Sequence, residues 1–401
     1  MRIIVAGLAA TYPLGGVFWD YLQYAQGLTE LGHEVLYLED TGLWCYDPTN
    51  HTMTETGAEA ARWLANQIDR HLPRQSNSWF LRDTLGATYG LAEHSVRQFC
   101  HDAELFLNVS GASVLPPDDL PRAKLVYIDT DPMFSQFVVP GALANSLSTF
   151  DQQRLDRMRA HDAMFSYGEN IGQVGCLVPN ELFDWLPTRQ PVSTDKIAPH
   201  RVPAAHRRRK LTTIGSWDPY TKPLVVAGRA YQGKLREFLR FRELPSHSPL
   251  PLELAMAGAV QPPELAALGW EVVDPTPVSA SAQGYLDYLA SSYAEWSVAK
   301  HAYVASRSGW FSGRTALYLA LGVPAIVQDT GFSRMLPTGA GLLAFSTVDE
   351  AADAIQQVTS DYARHCAAAE EIARAYFDSK SVLSKLLEDA FSSERAPGQN
   401  A

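Results

Sequence analysis

The sequence predicts an α/β protein made of two doubly wound domains that face each other across a cleft. Three observations predict it. Short apolar strands alternate with amphipathic helical stretches along most of the chain, the pattern of parallel sheets covered on both faces. The 401 residues suffice for two or three domains at roughly 100–200 residues each. A Pro-rich break carrying Pro187, Pro191, Pro199 and Pro203 divides the alternation into two series.

The first series opens with a buried strand at 2–7. A turn with Pro13, Gly15 and Gly16 follows, then a helix in which Phe18, Tyr21, Leu22, Ala25, Leu28 and Leu31 recur at helical spacing. Gly32 stops that helix. HEVLYLED is the next strand, and His33 in its turn is structural. Further strands are read at 104–111, 124–131 and 163–170, with helices near 57–71, 91–101 and 151–161. The second series places strands at 211–218, 223–228, 251–258, 271–274, 302–306, 323–329 and 341–345. Its helices are read at 232–242, 283–293, 312–321, 347–358, 361–375 and 379–391. The implied division is a first Rossmann-like domain over 1–185, a linker over 186–209, and a second Rossmann-like domain over 210–375. A last helix within 376–392 returns to the first domain, and 393–401 is a frayed tail. The basic run His206–Lys210 reads as a solvated stretch.

Composition narrows the function. Lys plus Arg number 33 against 44 for Asp plus Glu, a formal net charge of -11. That balance opposes broad nucleic-acid binding, which needs a basic face, and a polybasic grip on anionic lipid. The four cysteines lie far apart with no CxxC pair, which argues against a disulfide framework and for a reducing compartment. No apolar run reaches the ~18 residues of a spanning helix. The expectation is a soluble, cytoplasmic protein.

Ligands of doubly wound sheets bind outside the carboxyl ends of the strands. Two facing sheets therefore line one cleft with 9–16, 129–132 and 168–170 from the first domain, and 215–218, 228–231, 306–314 and 328–330 from the second. These loops hold no GxGxxG, no P-loop, no HExxH and no GxSxG. The strongest signal is SRSGWFSGRTALYLALGVPAIVQDTG over 306–331. A strand ends, a loop with Ser308, Gly309, Ser312 and Gly313 follows, and a helix starts with Arg314 in its first turn. Free N–H groups at such a turn attract an anion, and Arg314 adds a bidentate phosphate contact. An ordinary βα turn with a surface Arg is the plainer reading. A first-turn cation that opposes the dipole, together with Trp310 and Phe311 in the loop, weighs toward a ligand.

The turn, with GVP after its helix, resembles the donor-binding segment of GT-B glycosyltransferases. More closely, the chain resembles a bacterial glycosyltransferase family through YIDTDP (127–132), YGENIG (167–172), LVP (177–179), WLPTRQPV (185–192), LTTIGSW (211–217), EWSVAKHAYV (295–304), SGWFSGR (308–314) and VQDTGF (327–332). The resemblance implies a GT-B architecture, a nucleoside-diphosphate sugar as co-substrate held mainly by the second domain, and a small-molecule or glycan acceptor on the first. It implies no cofactor and no metal. The family usually carries SGWFSDR, and here Gly313 replaces the Asp. The E-x7-E pattern of retaining members is also missing, which leaves the stereochemical outcome open.

Candidate donor residues are Gly15, Gly16, Gly215, Ser216, Trp217, Lys300, Ser308, Gly309, Trp310, Phe311, Ser312, Gly313, Arg314, Gln328, Asp329 and Thr330. Gly15 and Gly16 serve either a sugar phosphate or the start of a helix. Lys300 and Glu295, read on a helix before the 302–306 strand, either reach the diphosphate or form a surface pair. Asp329 and Gln328 hold sugar hydroxyls or form a turn. The catalytic candidates are Arg314, Asp131 and Glu169, the two acids being possible bases. Asp129 and Asp131 as a DxD metal pair is the weaker reading, since strand-end Asp residues also form turns. A nucleotide-sugar transferase leads. A GT-B-fold epimerase and a catalytically silent partner protein remain as alternatives.

Overall fold

Runs of consecutive buried residues build both sheets. The structure, a computed structural model, describes residues 1–217, 223–258 and 264–392. The expected tail and the last residue of the 211–218 strand lie outside the described residues. In Arg2–Ala6 every residue after the first is buried, so this strand needs a layer on each face. It lies between Glu34–Asp40 and Leu105–Val109, parallel to both. The sheet continues through Lys124–Asp129, Ala163–Ser166 and Trp185–Pro187 on one side, and Trp79–Arg82 and Thr88–Gly90 on the other. The Thr88–Gly90 edge strand is antiparallel.

A second, six-stranded parallel sheet runs Trp270–Val273, Leu252–Ala257, Arg208–Ser216, Ser292–Ser297, Ala325–Gln328, Leu342–Phe345. Each sheet reverses its winding once: at Arg2–Ala6 in the first and at Arg208–Ser216 in the second. A doubly wound sheet offers its ligand crevice at such a reversal.

The Gly15–Glu30 helix ties the halves together. A Cβ on Gly15 would meet the Tyr285 Cβ at 2.7 Å, so glycine lets this helix start directly against the Ala282–Ala290 helix. A Cβ on Gly27 would meet the Leu383 Cδ1 at 2.5 Å. The Ser379–Ser392 helix uses that groove and packs back on the first helix. Val192 anchors the return, its N–H donating to Phe377 O at 2.7 Å and its C=O accepting from Ser379 at 2.8 Å.

Four expectations are corrected. The stretch read as linker is built in: Trp185–Pro187 joins the first sheet. The basic run is not solvated throughout. Arg207 is 8% exposed and donates to the carbonyls of Gly322 at 2.8 Å and Leu321 at 3.1 Å, satisfying the end of the Gly313–Ala320 helix. Arg208 and Lys210 both pair with buried Glu253. Residues 223–228 belong to neither sheet; Leu224–Val226 forms a hairpin with Arg229–Tyr231. Finally, helix and strand are exchanged near 300. Ser292–Ser297 is a strand and His301–Ser306 a short helix. All six strand residues are buried, so no polar alternation marks the strand. Among the described residues no helix is long and apolar enough to cross a membrane.

Candidate active site

Both winding reversals open on one cavity of 410 Å³. Val109, Ser110 and the start of the Gly15–Glu30 helix come from the first sheet; Ile214, Gly215 and Ser216 come from the second. Trp310, Ser312, Gly313 and Arg314 close it from the Gly313–Ala320 helix. Of the predicted donor residues, this cavity therefore gathers Gly16, Gly215, Ser216, Trp310, Ser312, Gly313 and Arg314. A recess of 70 Å³ behind it shares Trp310, Ser312 and Arg314 and adds Lys300, Phe311, Gln328 and Thr330.

Arg314 is not the exposed side chain the sequence suggests. Its side chain is 12% exposed and bonds Glu295, itself fully buried. Nε donates to Glu295 Oε1 at 2.8 Å, Nη2 lies 2.7 Å from the same oxygen, and Nη1 donates to Ile214 O at 2.7 Å. Burial, the largest single influence, pushes the guanidinium pKa down; the Glu295 charge and hydrogen bond together with Tyr285 and Tyr318 outweigh it, and the net shift is upward. Three of the five N–H donors are thus committed, leaving two for a ligand. Among the described residues Glu295 Oε2 is buried with no hydrogen-bond partner; Oε1 also accepts from Ser297 Oγ at 2.9 Å, and Arg314 is the counter-charge within ion-pair distance.

A second cation meets the same spot. A Cβ on Gly215 would stand 3.2 Å from Lys234 Nζ and 3.5 Å from Arg314 Nη1. Ser312, at the helix N-cap, makes no side-chain cap bond, which leaves the first-turn amides without a side-chain cap beside the cavity that Ser312, Gly313 and Arg314 line. Lys234 escaped the sequence reading. It opens the KLREF helix, and the first-turn argument applied to Arg314 would have found it.

Asp20 is the other missed residue. It lines the cavity, and its carboxylate makes no hydrogen bond among the described residues. Burial raises its pKa to about 7, and Arg314 opposes that rise. The available signal was one acid between Trp19 and Tyr21 in an otherwise apolar helix face. Its backbone is held by Gln190, whose Nε2 donates to Asp20 O at 3.0 Å. Tyr167 OH donates to Gln190 Oε1 at 2.7 Å and shares a 2.7 Å bond with Tyr24 OH. A Cβ on Gly313 would come within 2.6 Å of Asp20 Oδ1. Gly313→Ala should thus displace the Asp20 carboxylate at a modest cost in stability, because the closest clash is with the end of a side chain and Gln190, 3.2 Å away at Cγ, has to yield only a few tenths of an ångström. The expected result is a displaced Asp20 carboxylate in a crystal structure of the substituted protein, with a nearly unchanged melting temperature.

The turn before this helix is fixed by Glu39, which is fully buried. It accepts from the amides of Ala10 at 2.6 Å and Thr11 at 2.8 Å and from Tyr37 OH at 2.6 Å. Burial still leaves its pKa raised.

Several candidates take structural roles instead. Glu169 is held by Arg189 through two bonds of 2.5 and 2.8 Å and its side chain is 7% exposed, so each of its oxygens is engaged in an ion pair. Asp131 pairs with Lys300 Nζ at 2.7 Å and accepts from Tyr303 OH; this pair joins the two halves. Asp129 is buried and spent on Ser135, Gln136 and Ser166. Gly309, at φ +78°, lies against Asn170, whose Nδ2 donates to Arg307 O at 3.1 Å and Gly331 O at 3.0 Å. Ser308 is fully buried and accepts the Asn170 N–H at 3.0 Å through its C=O. Phe311 stacks on Phe377 at 5.1 Å and Trp217 packs edge-on against Phe238 at 4.8 Å. Asp329 caps its own turn through Gly331 N and Ser333 Oγ. Gln328 bridges Glu237 and the Ala299 amide, and Thr330 donates to Trp310 O at 2.6 Å. Trp310 in turn donates to Thr130 O at 3.0 Å and stacks on Tyr303.

The sequence matches no family model, and no curated protein matches it. Solved structures do. An alpha-glucosyltransferase in complex with UDP and a 13-mer DNA is 12% identical, with a TM-score of 0.54 over 98% of this chain and 99% of that one. Anabaena Alr3699/HepE in complex with UDP and glucose is 12% identical, with a TM-score of 0.54 over 98% of this chain and 100% of that one. AviGT4, a glycosyltransferase involved in avilamycin A biosynthesis, is 12% identical, with a TM-score of 0.51 over 98% and 97%. The shared feature is the fold: this chain has the two-sheet GT-B architecture.

Proposed function

We propose that this protein is a glycosyltransferase that moves a sugar from a nucleoside-diphosphate sugar to an acceptor hydroxyl. The observation that carries the reading is the meeting of Lys234 and Arg314 over Gly215: both cations line the recess, and Arg314 also lines the adjoining cavity together with Asp20. Two cations and the open amides of a helix start suit a diphosphate. A carboxylate poised near neutrality suits removal of a proton. Solved proteins of this fold with UDP bound, including one with UDP and glucose, support the same class.

The chemistry follows from the groups present. Asp20, ionised, takes the proton of the acceptor hydroxyl as its oxygen bonds to the anomeric carbon. The bond from that carbon to the diphosphate breaks, and the departing charge falls on Arg314, Lys234 and the first-turn amides. Preorganised donors of this kind supply most of the stabilisation when they act in a recess that excludes water. The acceptor is a small molecule or a glycan, in keeping with the net charge of -11; the DNA in one neighbour's complex belongs to that protein. With four free cysteines, a reducing, cytoplasmic setting fits the reading.

The test is a thermal-shift panel of UDP, GDP, ADP, CDP and TDP. One of them at 100 times its Kd should add about 2.7 kcal/mol of stability; no shift with any would reject the reading. Two protein cations already meet the diphosphate, so turnover should be indifferent to EDTA. Loss with EDTA and return with magnesium or manganese would show that the cations do not suffice.

A further inference from the structure

A second cavity of 530 Å³ opens beside the first. The two share Tyr21, Ser110 and Thr130. These three form a chain of hydroxyls at the neck, Tyr21 OH donating to Ser110 Oγ at 3.0 Å and Ser110 Oγ meeting Thr130 Oγ1 at 2.7 Å. Asp20, one residue before Tyr21, stands on the far side of that neck. A molecule in the second cavity thus presents one end to the proposed base.

Its walls are mainly apolar. Phe134 and Phe137 come from the first half, and Leu224 and Tyr231 come from the hairpin of the second. Among the described residues two charged side chains line it, and they differ. Asp131 is already neutralised by Lys300 and Tyr303. Arg154 has no carboxylate within ion-pair distance among the described residues. Its guanidinium donates once, from Nη2 to Phe134 O at 2.7 Å, and lies over the Phe137 ring at 5.2 Å. That ring and carbonyl hold the fork in place while most of its donors stay uncommitted. The unbalanced charge that the described residues bring to the cavity is therefore positive and sits on a positioned group. The volume lies in the range of small-molecule sites, about 300–1,000 Å³.

We infer that this cavity is the acceptor subsite, and that it takes a small acceptor with a flat apolar body, a hydroxyl at one end and a carboxylate or similar anion that pairs with Arg154. The acceptor role rests on the transferase reading; the binding chemistry does not. Aromatic walls take the body by burial and stacking, the Tyr21–Ser110–Thr130 chain orients the hydroxyl, and Arg154 selects the anion through charge-assisted bonds.

The test reads binding without any donor present. A hydroxynaphthoate and the matching naphthol that lacks the carboxylate are titrated calorimetrically into the full chain. The acid should bind at least tenfold more tightly than the naphthol. Arg154→Gln should abolish that margin and leave naphthol affinity unchanged, and Arg154→Lys should keep part of it. Equal affinities in the wild type, a margin that survives Arg154→Gln, or no binding of the acid at millimolar concentration would overturn the inference. Nucleoside diphosphate that binds while the acid does not sinks this subsite alone. Acid that binds while no nucleoside diphosphate does leaves the subsite standing and sinks the transferase reading.

Discussion

Asp20→Asn should lower kcat by about 10²–10⁴, the usual contribution of a positioned general base, and leave donor affinity close to wild type. The amide keeps the shape of the carboxylate but cannot accept the acceptor's proton. The pH dependence should identify the same group. The reaction needs ionised Asp20, and burial sets its pKa at about 7. Wild-type kcat should therefore fall roughly tenfold per pH unit below about 7 and level off above it. The substituted enzyme should lack that limb. Stability should move the opposite way. The folded pKa lies above the unfolded one, so the folded state holds more protons across the interval between them, and stability declines as pH rises through it. Asp20→Asn removes the decline and should melt no lower than wild type at pH above 7. An active enzyme with an unchanged pH profile would place the base elsewhere.

Arg314→Ala should damage folding and binding together. Removing one partner of a buried ion pair costs about 3–5 kcal/mol, because the other charge is left without compensation. Glu295 is fully buried and has one oxygen without a partner, so the upper part of that range applies. Against a total stability of about 5–15 kcal/mol, the loss should appear as a clear drop in melting temperature. The sequence alone suggests an exposed Arg whose removal is harmless, and the buried partner reverses that expectation. The double change Arg314→Ala with Glu295→Gln separates the two effects. It removes the stranded charge and should recover most of the lost stability, but affinity for the diphosphate should stay reduced. Arg314→Lys keeps the charge and loses the fork, so it should rescue part of both. A single Arg314→Ala protein that melts like wild type would contradict the ion pair.

The alternation of strands and helices was legible because most elements carry a periodic pattern. The Gly15–Glu30 helix, the Gly313–Ala320 helix and the last three helices follow their apolar spacing. The failures share a physical cause. Ser292–Ser297 is buried on every residue, so nothing in its pattern distinguishes strand from helix, and Glu295 at its centre reads as a surface acid. The cradle turn was legible from Gly, Ser and a first-turn Arg, yet only tertiary structure shows that Arg314 is shared with Glu295 beneath it. Asp20 is invisible to a search of strand-end loops, since it lies more than a helical turn past the loop and reaches the cavity because Gly313 leaves room. Glu169 misled for the converse reason. It follows a strand end, where catalytic acids are common, but Arg189 lies twenty residues on and occupies both of its oxygens.

On the transferase reading a diphosphate sits where both sheets reverse, between Lys234, Arg314 and the start of the Gly313–Ala320 helix. The most direct measurement is a crystal structure of the protein with the nucleoside diphosphate that wins the thermal-shift panel. Phosphate oxygens should lie within hydrogen-bond distance of the two remaining Arg314 donors and of the first-turn amides, with Lys234 Nζ at the same group and the Asp20 carboxylate open toward the leaving oxygen. A diphosphate bound away from Gly215, with Arg314 still engaged only by Glu295 and Ile214, would contradict it.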